Sequence, residues 1–178
     1  MWNIEPKEIK KAKSFKNMAL YVLNEENNVD DEILLRTAIN RYYYYVFLYL
    51  RERIVKIDNR EELKKILYPD DNNDNKDENK PKIGPHTFLI IYLKHVINMS
   101  KRLSLGSHKM YLANIILSDL FNKRKLADYN LSEDIDKNIL SDVEEGVKKL
   151  EECFDDLFTA ISQLQGMNKL PKCDNYFE

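Results

Sequence analysis

The chain has 178 residues and a formal net charge of -2, long enough for one domain with a sizeable core and too evenly charged for bulk charge to announce a nucleic-acid binder. Its two cysteines, Cys153 and Cys173, have no metal-ligand spacing, which argues against a disulfide scaffold and fits a reducing compartment. No run of about 18 apolar residues is present and the start Met1-Trp2-Asn3-Ile4-Glu5-Pro6 has no secretory pattern, so a cytoplasmic location with no membrane partner is expected.

A first helix is predicted from Pro6 to about Leu23, with Ile9, Ala12, Phe15, Ala19 and Val22 at helical spacing. A loop over residues 27–31 follows, with Asp30 or Asp31 as N-cap, and then a long second helix to about Val55. A short helical turn is predicted around Glu61 to Leu67. Residues 69–84, acidic and Asn-rich, read as a flexible insertion. A third helix runs from Pro85 to about Arg102, with Phe88, Ile91, Tyr92, His95 and Met99 on one side. Leu105-Gly106-Ser107 breaks the chain, Ser107 being the expected N-cap of a fourth helix from His108 to about Asp128. The fifth carries a stripe of Ile135, Ile139, Val143, Leu150, Phe154, Leu157, Phe158 and Ile161. Ser132 is its expected N-cap, and Gly146 its expected bend. The tail, 167–178, reads as loosely held. With only 4 Gly and 5 Pro, and no segment alternating with period two, the expectation is one all-α domain over 1–178. Its core spans about 8–165 in an up-and-down bundle of four to five helices.

The second helix carries the most information. Arg36-Thr37-Ala38-Ile39-Asn40-Arg41-Tyr42-Tyr43-Tyr44-Tyr45-Val46-Phe47-Leu48-Tyr49-Leu50-Arg51 places four successive tyrosines about 100° apart around a helix, so it must be covered on several sides. Arg41 then needs a partner or a ligand. Asn40, Arg41, Tyr44 and Tyr45 form one candidate site, in which a guanidinium beside phenolic hydroxyls holds a phosphate through several donors. The structural alternative is a buried ion pair among core tyrosines. Arg124-Lys125-Leu126-Ala127-Asp128-Tyr129 forms a second group. Arg124 and Asp128 have i,i+4 spacing for a local salt bridge, and Asp128 or Tyr129 is the expected partner that orients Arg41. Charged residues on the fifth helix, such as Asp142, Glu145 and Lys149, read as a solvated face. No metal-ligand cluster, Gly-rich phosphate loop or Ser-His-Asp set is present.

These two segments, in this order, resemble the HEPN family (higher eukaryotes and prokaryotes nucleotide-binding domain). Arg41 to Phe47 is similar to its R-x-Y-Y-x-x-F helix, and Arg124 to Tyr129 to its R-x-x-A-D-Y segment. The resemblance covers roughly residues 8 to 165. It implies a helical bundle, a homodimer through the tyrosine helix, and no cofactor. It also implies metal-independent endoribonuclease activity in an anti-phage defence, CRISPR-linked or toxin–antitoxin system, with RNA and an antitoxin or defence effector protein as partners. In such members an Arg and a His within an R-x4-6-H motif act together across the dimer. The histidine moves a proton at the ribose hydroxyl, and the arginine stabilises charge on the phosphate. On this resemblance the catalytic group is Arg41 with Asn40, Tyr44 and Tyr45, supported by Arg124, Asp128 and Tyr129. At the position seven residues after Arg41, where the family pattern has histidine, this chain has Leu48, which moves no proton. A tyrosine, with an ordinary pKa of about 10, is a poor substitute base. A second string, Arg102-Leu103-Ser104-Leu105-Gly106-Ser107-His108, has the motif's length across a Gly-Ser break and makes Arg102 and His108 the alternative pair. His86 and His95 are weaker candidates. The alternative function is a non-catalytic HEPN module that binds RNA, a nucleotide or a protein partner. A third is a structural bundle in which Arg41 and Asp128 form an ion pair.

Overall fold

The computed structural model describes residues 7–24, 31–69 and 83–173. The Pro6 start, the Asp30 cap, residues 70–82 of the expected loop and tail residues 174–178 lie outside the described residues. The protein is all-helical: among the described residues there are seven α-helices, one 3-10 turn and no strand. The helices are α1 (Lys7–Asn24), α2 (Asp31–Ile57), α3 (Glu61–Leu67), α4 (Pro85–Arg102), α5 (Ala113–Tyr129), α6 (Lys137–Glu151) and α7 (Phe154–Gly166), with the 3-10 turn at Lys109–Leu112. No helix among the described residues is long and apolar enough to cross a membrane. The chain divides into two compact units, one made of Met1–Glu52 and Ile115–Glu152, the other of Arg53–Asn114 and Cys153–Glu178.

In the first unit, α2 begins with Asp31 and Glu32, whose charges suit a helix N-terminus. It buries Ala38, Ile39, Tyr42, Tyr43, Tyr45, Val46, Phe47 and Leu50. These positions cover most of the helix circumference, the pattern of a helix enclosed rather than laid on a surface. Helix α1 contributes Ile9, Ala12 and Ala19 to the core. Helix α6 starts at Asp136, whose carboxylate accepts the Asn138 and Ile139 N–H groups at 3.0 Å each. The expected cap, Ser132, instead donates to Asn130 Oδ1 at 2.8 Å. Gly146 lies where a Cβ would meet Leu120 Cδ2 at 3.2 Å, so its lack of a side chain serves the close approach of α5 and α6.

In the second unit, α4 takes Pro85 at its first turn, where the missing N–H costs nothing. It buries Phe88, Leu89, Tyr92, Leu93, Val96, Ile97 and Ser100. This face corrects the expected one: His95 is exposed, and Ile91 and Met99 are only half-buried. The chain then reverses through Ser104 and Gly106, both at positive φ. A Cβ on Gly106 would also come within 2.7 Å of the buried Met110 side chain. Ser107 Oγ accepts the Met110 N–H at 3.3 Å, and the 3-10 turn precedes α5, so that helix starts five residues later than the expected His108.

The expected single fifth helix is two. Its interruption falls at Glu152 and Cys153 rather than at Gly146. Both residues keep right-handed φ/ψ, so the apolar stripe continues from Leu150 to Phe154 and Leu157 with helical spacing. This is why the pattern alone reads as one element.

Candidate functional site

The site lies in the first unit, where α2 faces α5 and α1. Arg36, Asn40 and Tyr44 are four residues apart and share one face of α2; each reaches α5 or the loop after it. Arg36 Nη1 donates to the carbonyls of Leu126 (3.2 Å) and Ala127 (3.0 Å), and Nη2 to those of Asn130 (3.2 Å) and Glu133 (2.6 Å). Its Nε is held by Glu32 at 2.7 Å. Two last-turn carbonyls of α5, those of Ala127 and of Leu126 (which also accepts the Asn130 N–H at 3.2 Å), and two of the following loop are thus collected by one guanidinium. Asn40 Nδ2 donates to Asp128 Oδ1 at 2.5 Å, and Asn40 Oδ1 is buried with no partner among the described residues.

Asp128 also pairs with Arg124 at 2.6 Å, with both side chains mostly shielded, although the Nε–H is not aligned on the carboxylate for a hydrogen bond. Arg124 Nη2 lies 3.3 Å from the Tyr44 hydroxyl, to which it donates. The guanidinium also lies against two rings, 5.5 Å from the Tyr44 centroid and 5.3 Å from that of Tyr129. Burial works against its charge, but Asp128, Tyr44 and Tyr129 outweigh burial and hold Arg124 above the ordinary arginine value.

Arg41 is placed differently. It lies one step round the helix from Asn40, and its guanidinium rests over the Phe15 ring of α1 at 5.5 Å. Among the described residues it has no hydrogen bond or ion pair. The expectation that Asp128 or Tyr129 orients Arg41 is therefore corrected: both engage Arg124, because Asn40 and not Arg41 points toward α5. Phe15 in turn lies 6.1 Å from Tyr44, so a row of contacts runs Arg41, Phe15, Tyr44, Arg124, Tyr129.

Tyr45 leaves this group. Its hydroxyl donates to Glu151 Oε1 at 2.6 Å, an oxygen shared with Lys16 Nζ at 2.6 Å. Tyr42 donates to Glu144 at 2.9 Å. Burial, with Glu144 adding to it, pushes the Tyr42 phenol well above its usual range. Burial does the same to Tyr43, against the opposing field of Arg124. The Tyr42 and Tyr45 phenols are donors to carboxylates, and those of Tyr42 and Tyr43 remain protonated at neutral pH.

Leu48 is half-buried on α2. All three histidines, His86, His95 and His108, belong to the second unit. The alternative pair also lies there. Arg102 ends α4 exposed, and His108 is exposed with its ring edge-on to Tyr111 at 6.3 Å. No contact joins Arg102 to His108 among the described residues. No group of three or more metal-ligating side chains occurs among the described residues. Sequence reasoning gave no role to Arg36, the most heavily bonded cation of the site. Its signal was available in the four-residue spacing from Arg36 to Asn40 to Tyr44.

What the arrangement offers is one fixed, internally neutralised guanidinium, one half-exposed guanidinium facing no carboxylate among the described residues, and aromatic rings between them. Such a composition can hold an anion, and none of these groups is an ordinary proton carrier near neutral pH. Comparison of the chain with family models, with curated proteins and with solved structures returns no match.

Proposed function

We propose that this chain is a HEPN-like RNA-binding module that captures phosphate through Arg41. The observation that carries this reading is the Arg41 guanidinium, half-buried over Phe15 and facing no carboxylate among the described residues. A cation of this kind, with no anionic partner among the described residues, is stabilised by binding an anion, and charge-assisted bonds to phosphate are among the stronger ones available to a protein. Leu48 in place of the family's histidine supports binding without unaided cleavage. In the setting that the HEPN resemblance implies, the module works as a homodimer beside an antitoxin or defence effector. Tyr42, Tyr43 and Tyr45 are buried within the chain itself, so a dimer through α2 has the half-buried Arg41, Leu48 and Tyr49 to offer.

The test is a binding titration of a labelled mixed RNA pool in EDTA, with the RNA run on a denaturing gel afterwards. The wild type is expected to bind and leave the RNA intact. Arg41→Ala should weaken binding about tenfold or more, the loss of a hydrogen-bonded charged contact, and Arg41→Lys should recover part of it. Equal binding by Arg41→Ala removes the proposal. A second reading, a metal-independent endoribonuclease, rests on the same Arg41. EDTA-resistant cleavage lost in Arg41→Ala would replace the binding module with that enzyme, and loss in His108→Ala would move its active pair to Arg102 and His108.

A further inference from the structure

Tyr129 is the last residue of α5, and it is 72% exposed. Most exposed aromatic side chains are free to turn. This one is backed by the Arg124 guanidinium at 5.3 Å, which is itself paired with Asp128 and held by the Tyr44 hydroxyl at 3.3 Å. The ring is therefore held from one face and open to solvent on the other. Lys125, one helical turn earlier, is exposed with its ammonium over Phe121 at 4.8 Å, adding a cation on the same side of α5. A fixed aromatic face loses little conformational entropy on binding, and a planar base is the ligand such a face takes.

We propose that Tyr129 is a stacking platform for one unpaired base of the RNA held at Arg41, so that the site selects single strands over duplexes. This rests on the RNA-binding reading above and adds a residue and a selectivity to it. In a duplex every base face except those at the ends is covered by its neighbours, and an A-form helix presents edges and backbone instead. Arg41 answers to phosphate, which both forms carry. Tyr129 answers to an uncovered base, which only the single strand supplies. Arg124 and Asp128 are positioning residues: they hold the ring and contribute one pair of opposite charges, so they add little net attraction of their own.

The experiment titrates a short labelled single-stranded RNA, and the same RNA annealed to its complement, against the full chain and three variants at several salt concentrations. Tyr129→Ala is expected to lose roughly 5- to 100-fold on the single strand, the range for deleting one stacking aromatic. It should leave duplex binding and the salt dependence unchanged. Tyr129→Phe keeps the ring and should bind as the wild type does. Arg41→Ala should weaken both forms and lower the single-strand salt slope by about 0.7, the loss of one phosphate contact. Wild-type single-strand affinity in Tyr129→Ala, or an equal loss on single strand and duplex, overturns the stacking role while the Arg41 result stands by itself. Failure of the wild type to bind either RNA overturns both readings. Circular dichroism of Tyr129→Ala at the titration temperature shows that the compared chains are folded.

Discussion

Replacing Arg36 with alanine tests how the end of α5 is held. The side chain is only 11% exposed, and it donates to four main-chain carbonyls, with those of Ala127 (3.0 Å) and Glu133 (2.6 Å) the nearest. A hydrogen bond from a charged donor contributes roughly 1.5–3 kcal/mol where its partner is left unsatisfied. Water can take over the exposed Glu133 carbonyl, so the cost is set mainly by the part-buried bonds to Leu126, Ala127 and Asn130, and about 3 kcal/mol is expected. For a chain of this size each kcal/mol moves the thermal midpoint by roughly 2–4 °C, so Arg36→Ala should melt about 6–12 °C lower by circular dichroism at 222 nm. Urea unfolding should show a lower midpoint with an unchanged slope. Arg36→Lys should recover less than half, because one ammonium cannot reproduce a planar fork over four acceptors. A loss below about 0.5 kcal/mol, the level of an ordinary surface change, or full recovery by lysine, would refute the claim that this guanidinium gathers the helix end.

Asp136 accepts the Ile139 N–H and, with its other contacts, those of Asn138, which hold its carboxyl below the usual aspartate range. The stabilisation is therefore complete above about pH 4 and disappears as pH falls through the lowered value; Asp136→Ala should melt below the wild type at neutral pH, by a gap that narrows as pH falls below about 4, and a gap that does not narrow in acid would count against the cap. Tyr42 and Tyr43 have phenols raised in the folded state, so their stabilisation is present below about pH 10 and is lost as pH rises further. Ultraviolet titration should show exposed tyrosines ionising first, with Tyr42 and Tyr43 following only on alkaline unfolding; a single step for all 11 tyrosines in a still-helical chain would contradict their enclosure. Gly146→Leu should cost about 1–3 kcal/mol by overpacking against Leu120, which is 1% exposed. Gly146→Ala should be near neutral, since helix propensity offsets the contact at 3.2 Å; a stable Gly146→Leu would mean that α5 and α6 have room to part.

Much of the helical content was legible, because helical periodicity is a strong signal over long segments. Helices α2, α3 and α4 fall close to their expected bounds, and the Arg124–Asp128 pair follows from its spacing alone. The split between α6 and α7 was not legible: Glu152 and Cys153 disturb the ladder without leaving the right-handed region, so no Gly, Pro or polar cluster marks it. The pattern points to Ser132 rather than Asp136 as the cap because the buried Ile135, which belongs to the approach to the helix, falls in step with its apolar stripe. In the candidate site, types of residue were easier to read than directions. Tyr44 and Tyr45 both follow Arg41 at helical-neighbour spacing, yet one turns to Arg124 and the other to Glu151. One step of helical rotation separates these environments, and which neighbour fills each is a tertiary fact. For Arg36 the four-residue spacing to Asn40 and Tyr44 marks the face it shares with them, but its carbonyl partners leave no trace in side-chain patterns.

The chain passes between its two compact units three times, after Glu52, Asn114 and Glu152. Each unit is therefore assembled from stretches far apart in sequence, and neither exists as a contiguous fragment. Helix α2 serves both, its residues to Glu52 in one and from Arg53 in the other. Excising either unit as a minimal domain would sever this helix and strand half of a core. Folding must also close long loops before the contacts between these distant stretches form, which places the chain toward slower kinetics than its helical content suggests. Two complementary fragments, mixed and tested for recovery of helicity, are the form in which this architecture could be taken apart.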